Sequence, residues 1–169
     1  MCSRGWALAE PGLTQDGLDL MRERIDALRA KNILAGVDYF LGVSTQILNK
    51  VGDVPKGLAS LGEAFDVARS TNQPVWLAEF ARLRGELLVQ DGAAEAEAEA
   101  SLREALTIAR RQEAKSLELR AATSLARLWQ RQGKKEGARE LLASVYGWFT
   151  EGFDTADLRE AKGLLDALV

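Results

Sequence analysis

The sequence predicts an all-α protein in which antiparallel helical hairpins stack as an α-solenoid. Four glycines, Gly12, Gly52, Gly92 and Gly133, recur at intervals of 40, 40 and 41 residues, and each follows a helix-like apolar segment. A unit of about 40 residues holds two helices and a turn but cannot bury its apolar face alone, so neighbouring units must stack. The chain has three prolines in 169 residues, which leaves room for long uninterrupted helices.

A second set of residues repeats in the same register as the glycines. An offset of 40 maps Gly17, Leu18, Met21, Ile25, Leu28 and Asn32 onto Gly57, Leu58, Leu61, Phe65, Ala68 and Asn72. An offset of 41 continues the register into the third unit, and the fourth copy, around Ala138 and Leu142, is weaker. We therefore predict one domain over 1–169, with a truncated first repeat at 1–32, further repeats at 33–72, 73–113 and 114–150, and a capping helix at 151–169.

The first predicted repeat contains parts of two helices. Residues 3–10 resemble the end of a helix, which Pro11 and Gly12 terminate because proline lacks an amide donor and glycine accepts left-handed angles. Thr14 is placed to cap a second helix over 17–31, where apolar residues recur at three- and four-residue steps.

The later repeats each show two helices and a turn. The predicted helices span 34–51 and 55–70, then 74–92 and 94–112, then 115–132 and 136–149, and a final helix spans 155–168. Asp53 is placed to cap the helix that begins near Pro55, and Asp154 to cap the last one. The Glu and Ala alternation over 95–100 has the period of a strand, but both residues favour helix. The last helix has the polar face of a segment that closes a solenoid.

Small and large residues alternate before each turn glycine. A small residue stands seven positions before each of the four glycines, and a large apolar residue stands four positions before it. The small residues are, in order, Gly5, Thr45, Gly85 and Ala126, and the large residues are Leu8, Leu48, Leu88 and Trp129. A small residue lets two helices approach closely while the large side chain fills the next groove. Together with the alanines of the second helices (Ala64, Ala68, Ala105 and Ala109), this pattern resembles tetratricopeptide repeats, although the period exceeds the usual 34 residues. The resemblance implies a right-handed solenoid.

Four stretches extend this resemblance to one region of a larger class of proteins. They are Arg84-Gly-Glu-Leu-Leu, Glu104-Ala-Leu-Thr-Ile-Ala-Arg-Arg-Gln, Ser116-Leu-Glu-Leu-Arg-Ala-Ala-Thr-Ser-Leu-Ala-Arg-Leu-Trp and Tyr146-Gly-Trp-Phe-Thr-Glu-Gly-Phe-Asp. They are similar to the C-terminal tetratricopeptide-like region of bacterial adenylate or guanylate cyclases and ATPase-coupled transcriptional regulators. The catalytic or DNA-binding domains of such proteins lie far upstream, so the resemblance implies a regulatory arm.

Composition and charge narrow the classes of function. The formal net charge of −3 argues against a nucleic-acid or anionic-membrane surface, because both need clustered excess Lys and Arg. Cys2 is the single cysteine and excludes an intrachain disulfide, and no segment resembles a signal peptide or a membrane span. We therefore expect the cytoplasm as the compartment.

The sequence contains no recognisable catalytic or metal-binding motif. It has no histidine, which excludes histidine-based triads, general bases and zinc sites. The segment 52–57 has the glycine spacing of a phosphate-binding loop, but Leu58 and Ala59 replace the required Lys and hydroxyl, which indicates a hairpin turn. Glu95 and Glu99 lie one turn apart, and a solvated pair at a helix start explains them better than a cation site. We predict no enzyme activity, cofactor or metal.

The surface formed by the first helices of the repeats is the predicted binding site. In tetratricopeptide solenoids these helices line the concave face, and by register the candidates here are Tyr39, Gln46, Asn49, Arg82, Glu86, Arg120, Arg127 and Gln130. The three arginines can hold acidic side chains or a terminal carboxylate, and Asn49 can bind an extended backbone. The alternative for each residue is an ordinary solvated surface.

Two function classes follow from this surface. The first is a non-catalytic protein-interaction module, the partner-sensing C-terminal arm of a bacterial signalling protein. The second is a small-molecule (inducer) sensing domain of a transcriptional regulator. An open polar groove favours the first, and a pocket lined by Trp and convergent polar groups favours the second.

The start of the chain suggests a further partner. The helix that carries Trp6 and Leu8 looks truncated and leaves an open apolar end. We therefore expect either a fragment of a longer regulator or a homodimer through this end.

Overall fold

The structure is a computed structural model that describes residues 14–92 and 95–169. These residues form eight α-helices and no strand. The helices are α1 (Thr14–Arg29), α2 (Val37–Val51), α3 (Val54–Ser70), α4 (Leu77–Asp91), α5 (Glu95–Arg111), α6 (Lys115–Arg131), α7 (Lys135–Tyr146) and α8 (Ala156–Ala167), and a short 3-10 turn (Pro74–Trp76) precedes α4. The all-helical class predicted from the sequence is confirmed.

Helices that follow one another in the chain pack together. The most extensive contacts join α2 to α3, α4 to α5 and α6 to α7, which are the pairs that flank Gly52, Gly92 and Gly133. A second set of contacts joins α2 to α4, α4 to α6 and α6 to α8. These four alternate helices therefore share one surface, and α8 extends it beyond the last hairpin.

Left-handed backbone at fixed positions produces the tight turns. Gly52 has φ 75° and follows α2, and the amide of the next residue, Asp53, donates to the carbonyl of Leu48 at 3.0 Å. The turns after α1, α3 and α5 use Asn32, Asn72 and Glu113, with φ of 54°, 51° and 55°. Asparagine tolerates this conformation better than most residues do, which explains the repetition of Asn at two of the three turns.

The starts of α3, α5, α6, α7 and α8 lie within one residue of the predicted ones, whereas three helices differ by three residues. Helix α1 already includes Thr14, its predicted cap, while α2 begins at Val37 and not at 34, because Gly36 is left-handed, with φ 88°. Helix α4 begins at Leu77 and not at 74, because Pro74–Trp76 forms the 3-10 turn.

The side chain of Asp53 accepts a hydrogen bond from the amide of Lys56 and caps α3, as predicted. The predicted cap of the last helix was Asp154, but α8 begins one residue later. Thr155 is the extended residue before the helix, and its carbonyl accepts the first helical bond, from the amide of Arg159. Its side chain makes no capping hydrogen bond.

Small residues allow the helices to pack closely. Thr45 and Ala126 have no exposed surface, and a Cβ atom on Gly85 would lie 2.6 Å from Cγ of Leu102. Leu48 and Leu88, the large partners in the predicted pattern, are also buried. The corresponding first-repeat residues Gly5 and Leu8, and the predicted open end at Trp6, lie outside the described residues.

The core is divided into clusters that follow the helix array. One cluster extends from Ile25 of α1 to Leu87 of α4, and a second extends from Ala81 to Leu168. Helix α8 completes the second cluster by burying Leu158, Ala161 and Leu164. Within the described part of the chain, no helix is long and apolar enough to cross a membrane.

Candidate functional site

The shared surface of α2, α4, α6 and α8 contains an open cavity of about 330 Å³, which we call the groove. Six of the eight residues predicted to bind a partner line it: Gln46, Asn49, Arg82, Glu86, Arg120 and Arg127. Ala156, Asp157 and Glu160 of α8 complete its wall. Residues from three hairpins and from the last helix thus surround one space.

A buried ion-pair network lies at the base of the groove. The guanidinium of Arg82 donates to both oxygens of Glu79, at 2.9 and 2.7 Å, and to Glu86 Oε1 at 2.5 Å. The Arg82 and Glu79 side chains are only 10% and 4% exposed. Arg82 was predicted to hold an acidic ligand, and in the structure its carboxylate partners come from its own helix. A ligand in the groove therefore has little access to Arg82.

Amide and hydroxyl groups connect this network to the neighbouring helices. The Gln46 amide of α2 donates to Glu79 at 3.0 Å, and the Asn49 amide donates to Glu86 at 2.9 Å. From the other side, the hydroxyl of Ser124 in α6 donates to Glu86 at 2.7 Å. Glu79 and Glu86 thus link α2, α4 and α6 through hydrogen bonds to charged acceptors, which are stronger than neutral ones.

Arg120 and Arg127 are more exposed than Arg82, and α8 supplies carboxylates to both. Nη1 of Arg120 lies 3.1 Å from Glu79 Oε1, and Nε lies 3.7 Å from Asp157 Oδ2. Nη1 of Arg127 lies 2.5 Å from Glu160 Oε1. The Asp157 and Glu160 side chains are 42% and 44% exposed, so both pairs are in contact with solvent. A ligand carboxylate can reach these two arginines.

The charges of the groove balance. The cationic side chains of Lys50, Arg82, Arg120 and Arg127 line it together with the carboxylates of Glu86, Asp157 and Glu160, and Glu79 is buried beside Arg82. An acidic ligand gains a net attraction only where its carboxylates replace those of α8, because a carboxylate added to the existing set meets as many negative charges as positive ones.

The electrostatic environment keeps Glu79 ionised. Burial by itself raises the pKa of this carboxyl, but the charges of Arg82 and Arg120 and the hydrogen bonds from Arg82 and Gln46 outweigh it and lower the pKa below its ordinary value. Burial lowers the pKa of Arg82, but the carboxylates of Glu79 and Glu86 outweigh this effect and raise it above its ordinary value. Glu79 and Arg82 are therefore both charged at neutral pH.

A second cavity, of about 350 Å³, adjoins the groove and contains the predicted residue Tyr39. Trp76 lies beside Tyr39, with ring centroids 5.3 Å apart, and Val43, Gln46, Arg120, Thr155, Ala156 and Asp157 form the rest of its lining. Gln46, Arg120, Ala156 and Asp157 are common to both cavities. Gln130, the last predicted residue, is half-buried on α6 and lines neither cavity.

The carboxylates considered for a cation site are paired with other side chains. Glu95 accepts from the Gln132 amide at 2.9 Å, and Glu99 accepts from Arg103 and Lys134. Across residues 14–92 and 95–169, no group of three or more Cys, Asp or Glu side chains is arranged to hold a metal ion.

Sequence reasoning missed several residues of this surface. Glu79 stands 40 residues after Tyr39 and 41 before Arg120, so the repeat register contained the signal. Asp157 and Glu160 lie on the last helix, for which the sequence pattern predicts a capping role and no place in the groove. The position of Trp76 next to Tyr39 depends on the 3-10 turn before α4, which periodicity does not predict.

Comparison with known proteins adds no relative: no family model matches the chain, and no curated protein matches it significantly.

Proposed function

We propose that this chain is a non-catalytic protein-interaction module with the architecture of a tetratricopeptide-like solenoid. In this proposal the hairpins α2/α3, α4/α5 and α6/α7 are successive repeats, and α8 takes the place of the first helix of the next repeat. The contacts of α2, α4, α6 and α8 along one surface support this arrangement. The bacterial signalling context remains an expectation from the sequence resemblance.

The partner in this proposal is an acidic protein segment that binds in the groove. The observation that carries the proposal is that both accessible arginines, Arg120 and Arg127, already hold carboxylates, and that these come from solvent-exposed side chains of α8. Planar guanidinium groups bind carboxylates with specific geometry, so the site favours Asp, Glu or a chain terminus. The openness and polarity of the groove favour an extended segment over a small apolar molecule.

A specific observation also favours the second candidate, small-molecule sensing. The cavity beside Tyr39 and Trp76 combines aromatic walls with the polar groups of Gln46 and Arg120, which is the composition of many small-ligand pockets. A free aromatic acid is the ligand class that would fit this chemistry.

Selection from a random peptide library displayed on phage tests the first proposal without knowledge of the partner. We expect peptides enriched in Asp or Glu on the wild-type chain, and we expect the enrichment to disappear on Arg120→Gln/Arg127→Gln, with circular dichroism showing that the variant is folded. The charge-matched control is Arg24→Gln/Arg139→Gln, since both residues are exposed and lie on α1 and α7, away from the groove. The proposal fails if no acidic peptides are enriched, or if they bind the groove variant and the control equally.

A further inference from the structure

We infer that the cavity beside Tyr39 and Trp76 receives an aromatic side chain of the partner segment, next to a carboxylate that binds Arg120. This inference rests on the proposed function and specifies its ligand: an acidic segment in which an aromatic residue adjoins Asp or Glu. We refer to the cavity as the aromatic pocket.

The walls of the aromatic pocket suit a ring. Tyr39 is near the start of α2, and Trp76 ends the 3-10 turn before α4, with their rings inclined by 47°. Phe40 packs edge-on against Tyr39 at 5.4 Å, and Val43 contributes a buried apolar surface. Aromatic rings prefer tilted or edge-on neighbours at such distances, so a third ring can contact Tyr39 and Trp76 favourably.

The size of the aromatic pocket limits its occupant. At about 350 Å³ it is near the lower end of the range for ligand pockets, roughly 300 to 1,000 Å³. One large side chain fits this space, whereas a helix or a strand does not. Its residue types also match those that dominate binding energy at interfaces, where Trp, Tyr and Arg are enriched.

Arg120 joins the aromatic pocket to the groove because it lines both. A segment that packs its ring against Tyr39 and Trp76 therefore brings the neighbouring residue close to this guanidinium. The pairing of Arg120 with Asp157, at 3.7 Å, is longer than its pairing with buried Glu79, at 3.1 Å. Asp157 is the partner that a ligand carboxylate can replace, since its side chain is 42% exposed and can turn into solvent. Glu79 stays in place and keeps Arg120 oriented.

Repeating the peptide selection on a pocket variant tests this inference. On the wild-type chain we expect enriched peptides in which Phe, Tyr or Trp adjoins Asp or Glu, and on Trp76→Ala we expect acidic peptides without the aromatic preference. Trp148→Ala is the matched control, because Trp148 is 58% exposed and lies after α7, outside both cavities. Circular dichroism confirms that each variant is folded, and Tyr39→Ala provides a second pocket variant if Trp76→Ala is not.

Titration calorimetry with synthetic peptides gives the magnitude. For a selected peptide we expect replacement of its aromatic residue by Ala to weaken binding to the wild type by about 30-fold, as for an interface hot spot. The same replacement should change affinity for Trp76→Ala by less than about twofold, because the wall of the pocket is already lost.

The outcomes separate this inference from the proposed function. If Arg120→Gln abolishes binding but the aromatic residue of the peptide has no effect, the aromatic pocket is overturned and the acidic groove remains. If Arg120→Gln and Arg127→Gln leave peptide binding unchanged, the proposed function fails. Free phenylacetate is the third probe: binding as tight as that of the selected peptides, and dependent on Trp76, would identify a small-molecule site and overturn the partner segment as occupant.

Discussion

The substitution Glu79→Gln is expected to destabilise the protein strongly although it preserves the shape of the side chain. Glu79 Oε1 accepts hydrogen bonds from Arg82 and Gln46 and lies 3.1 Å from Arg120, and Oε2 accepts from Nε of Arg82. The guanidinium of Arg82 faces both carboxylate oxygens and can only donate, so the amide nitrogen of a glutamine faces a donor in either orientation. The variant therefore loses the charge of Glu79 and leaves at least one buried donor without an acceptor.

The magnitude follows from the burial of this pair. Removal of one partner from a buried ion pair costs about 3 to 5 kcal/mol when the remaining charge is left uncompensated. Arg82 keeps Glu86 at 2.5 Å, so compensation is partial and we expect a loss near the lower limit, about 3 kcal/mol. For a protein of this size a loss of about 3 kcal/mol lowers the melting temperature by roughly 6 to 12 °C.

Urea unfolding followed by circular dichroism measures this change, with calorimetry for the melting temperature. The control is Asp166→Asn, which removes an exposed i,i+4 pair with Lys162 and should cost less than about 0.5 kcal/mol. A loss of less than about 1 kcal/mol for Glu79→Gln would refute the reasoning, because it would mean that solvent already screens the network.

The pH dependence provides an independent test of the same residue. Since the pKa of Glu79 in the folded chain lies below its ordinary value of 4.5, its ionised form stabilises the folded state above about pH 4.5. This stabilisation is lost as the pH falls through the folded-state pKa. The difference in stability between the wild type and Glu79→Gln should therefore be constant near neutral pH and shrink below about pH 4.5. A difference that stays constant down to the acid unfolding transition would contradict the lowered pKa.

Two further predictions concern α8 and the helix contacts. Asp157→Asn should raise the affinity for acidic peptides about threefold, measured by calorimetry, because it removes the carboxylate that competes for Arg120. Asp166→Asn, on the same helix, is the control and should leave the affinity unchanged. Equal affinities of the two variants would exclude competition by α8. Gly85→Ala should destabilise the chain by about 1 to 3 kcal/mol in urea unfolding, because its Cβ would lie 2.6 Å from Leu102 and 3.1 Å from a backbone oxygen. At Gly62 no atom lies within 4 Å of an added Cβ, so Gly62→Ala should stabilise the chain by about 0.5 to 1 kcal/mol. Stabilisation by Gly85→Ala as well would show that α4 and α5 can move apart without cost.

The turn positions could be predicted from the sequence because local chemistry determines them. Gly52 needs a left-handed conformation that few residues adopt, and Asp53 directly afterwards supplies an N-cap, so two adjacent residues define the end of one helix and the start of the next. The register of apolar residues then determines which faces are buried. The start of α8 was displaced by one residue because Asp154 and Thr155 are both good capping residues and the sequence does not distinguish them.

The ion pairs could not be predicted in the same way. Periodicity places Arg82 on the groove side of α4, but its burial depends on Glu86 at i+4, on Glu79 at i−3 and on the approach of Ser124 from α6. The approach of Ser124 depends on the spacing and crossing of two helices 42 residues apart in sequence, which small residues such as Gly85 permit but do not specify.

The two kinds of arginine in the groove have different physical roles. Arg82 is 10% exposed and binds two carboxylates of its own helix, so its removal would leave Glu79 and Glu86 without their principal charge partner. Loss of peptide binding by a variant of Arg82 would therefore not distinguish a lost contact from a distorted fold. Arg120 and Arg127 are 26% and 43% exposed, and each pairs with a solvent-exposed carboxylate of α8. Pairs of this kind contribute little to stability, since solvent screens them and exchanges with them readily. Arg120 also lies 3.1 Å from buried Glu79, so a change at Arg120 affects the buried network as well as the groove surface. Changes at Arg127 therefore test ligand recognition, changes at Arg82 test the fold, and a change at Arg120 tests recognition once circular dichroism shows that the variant is folded.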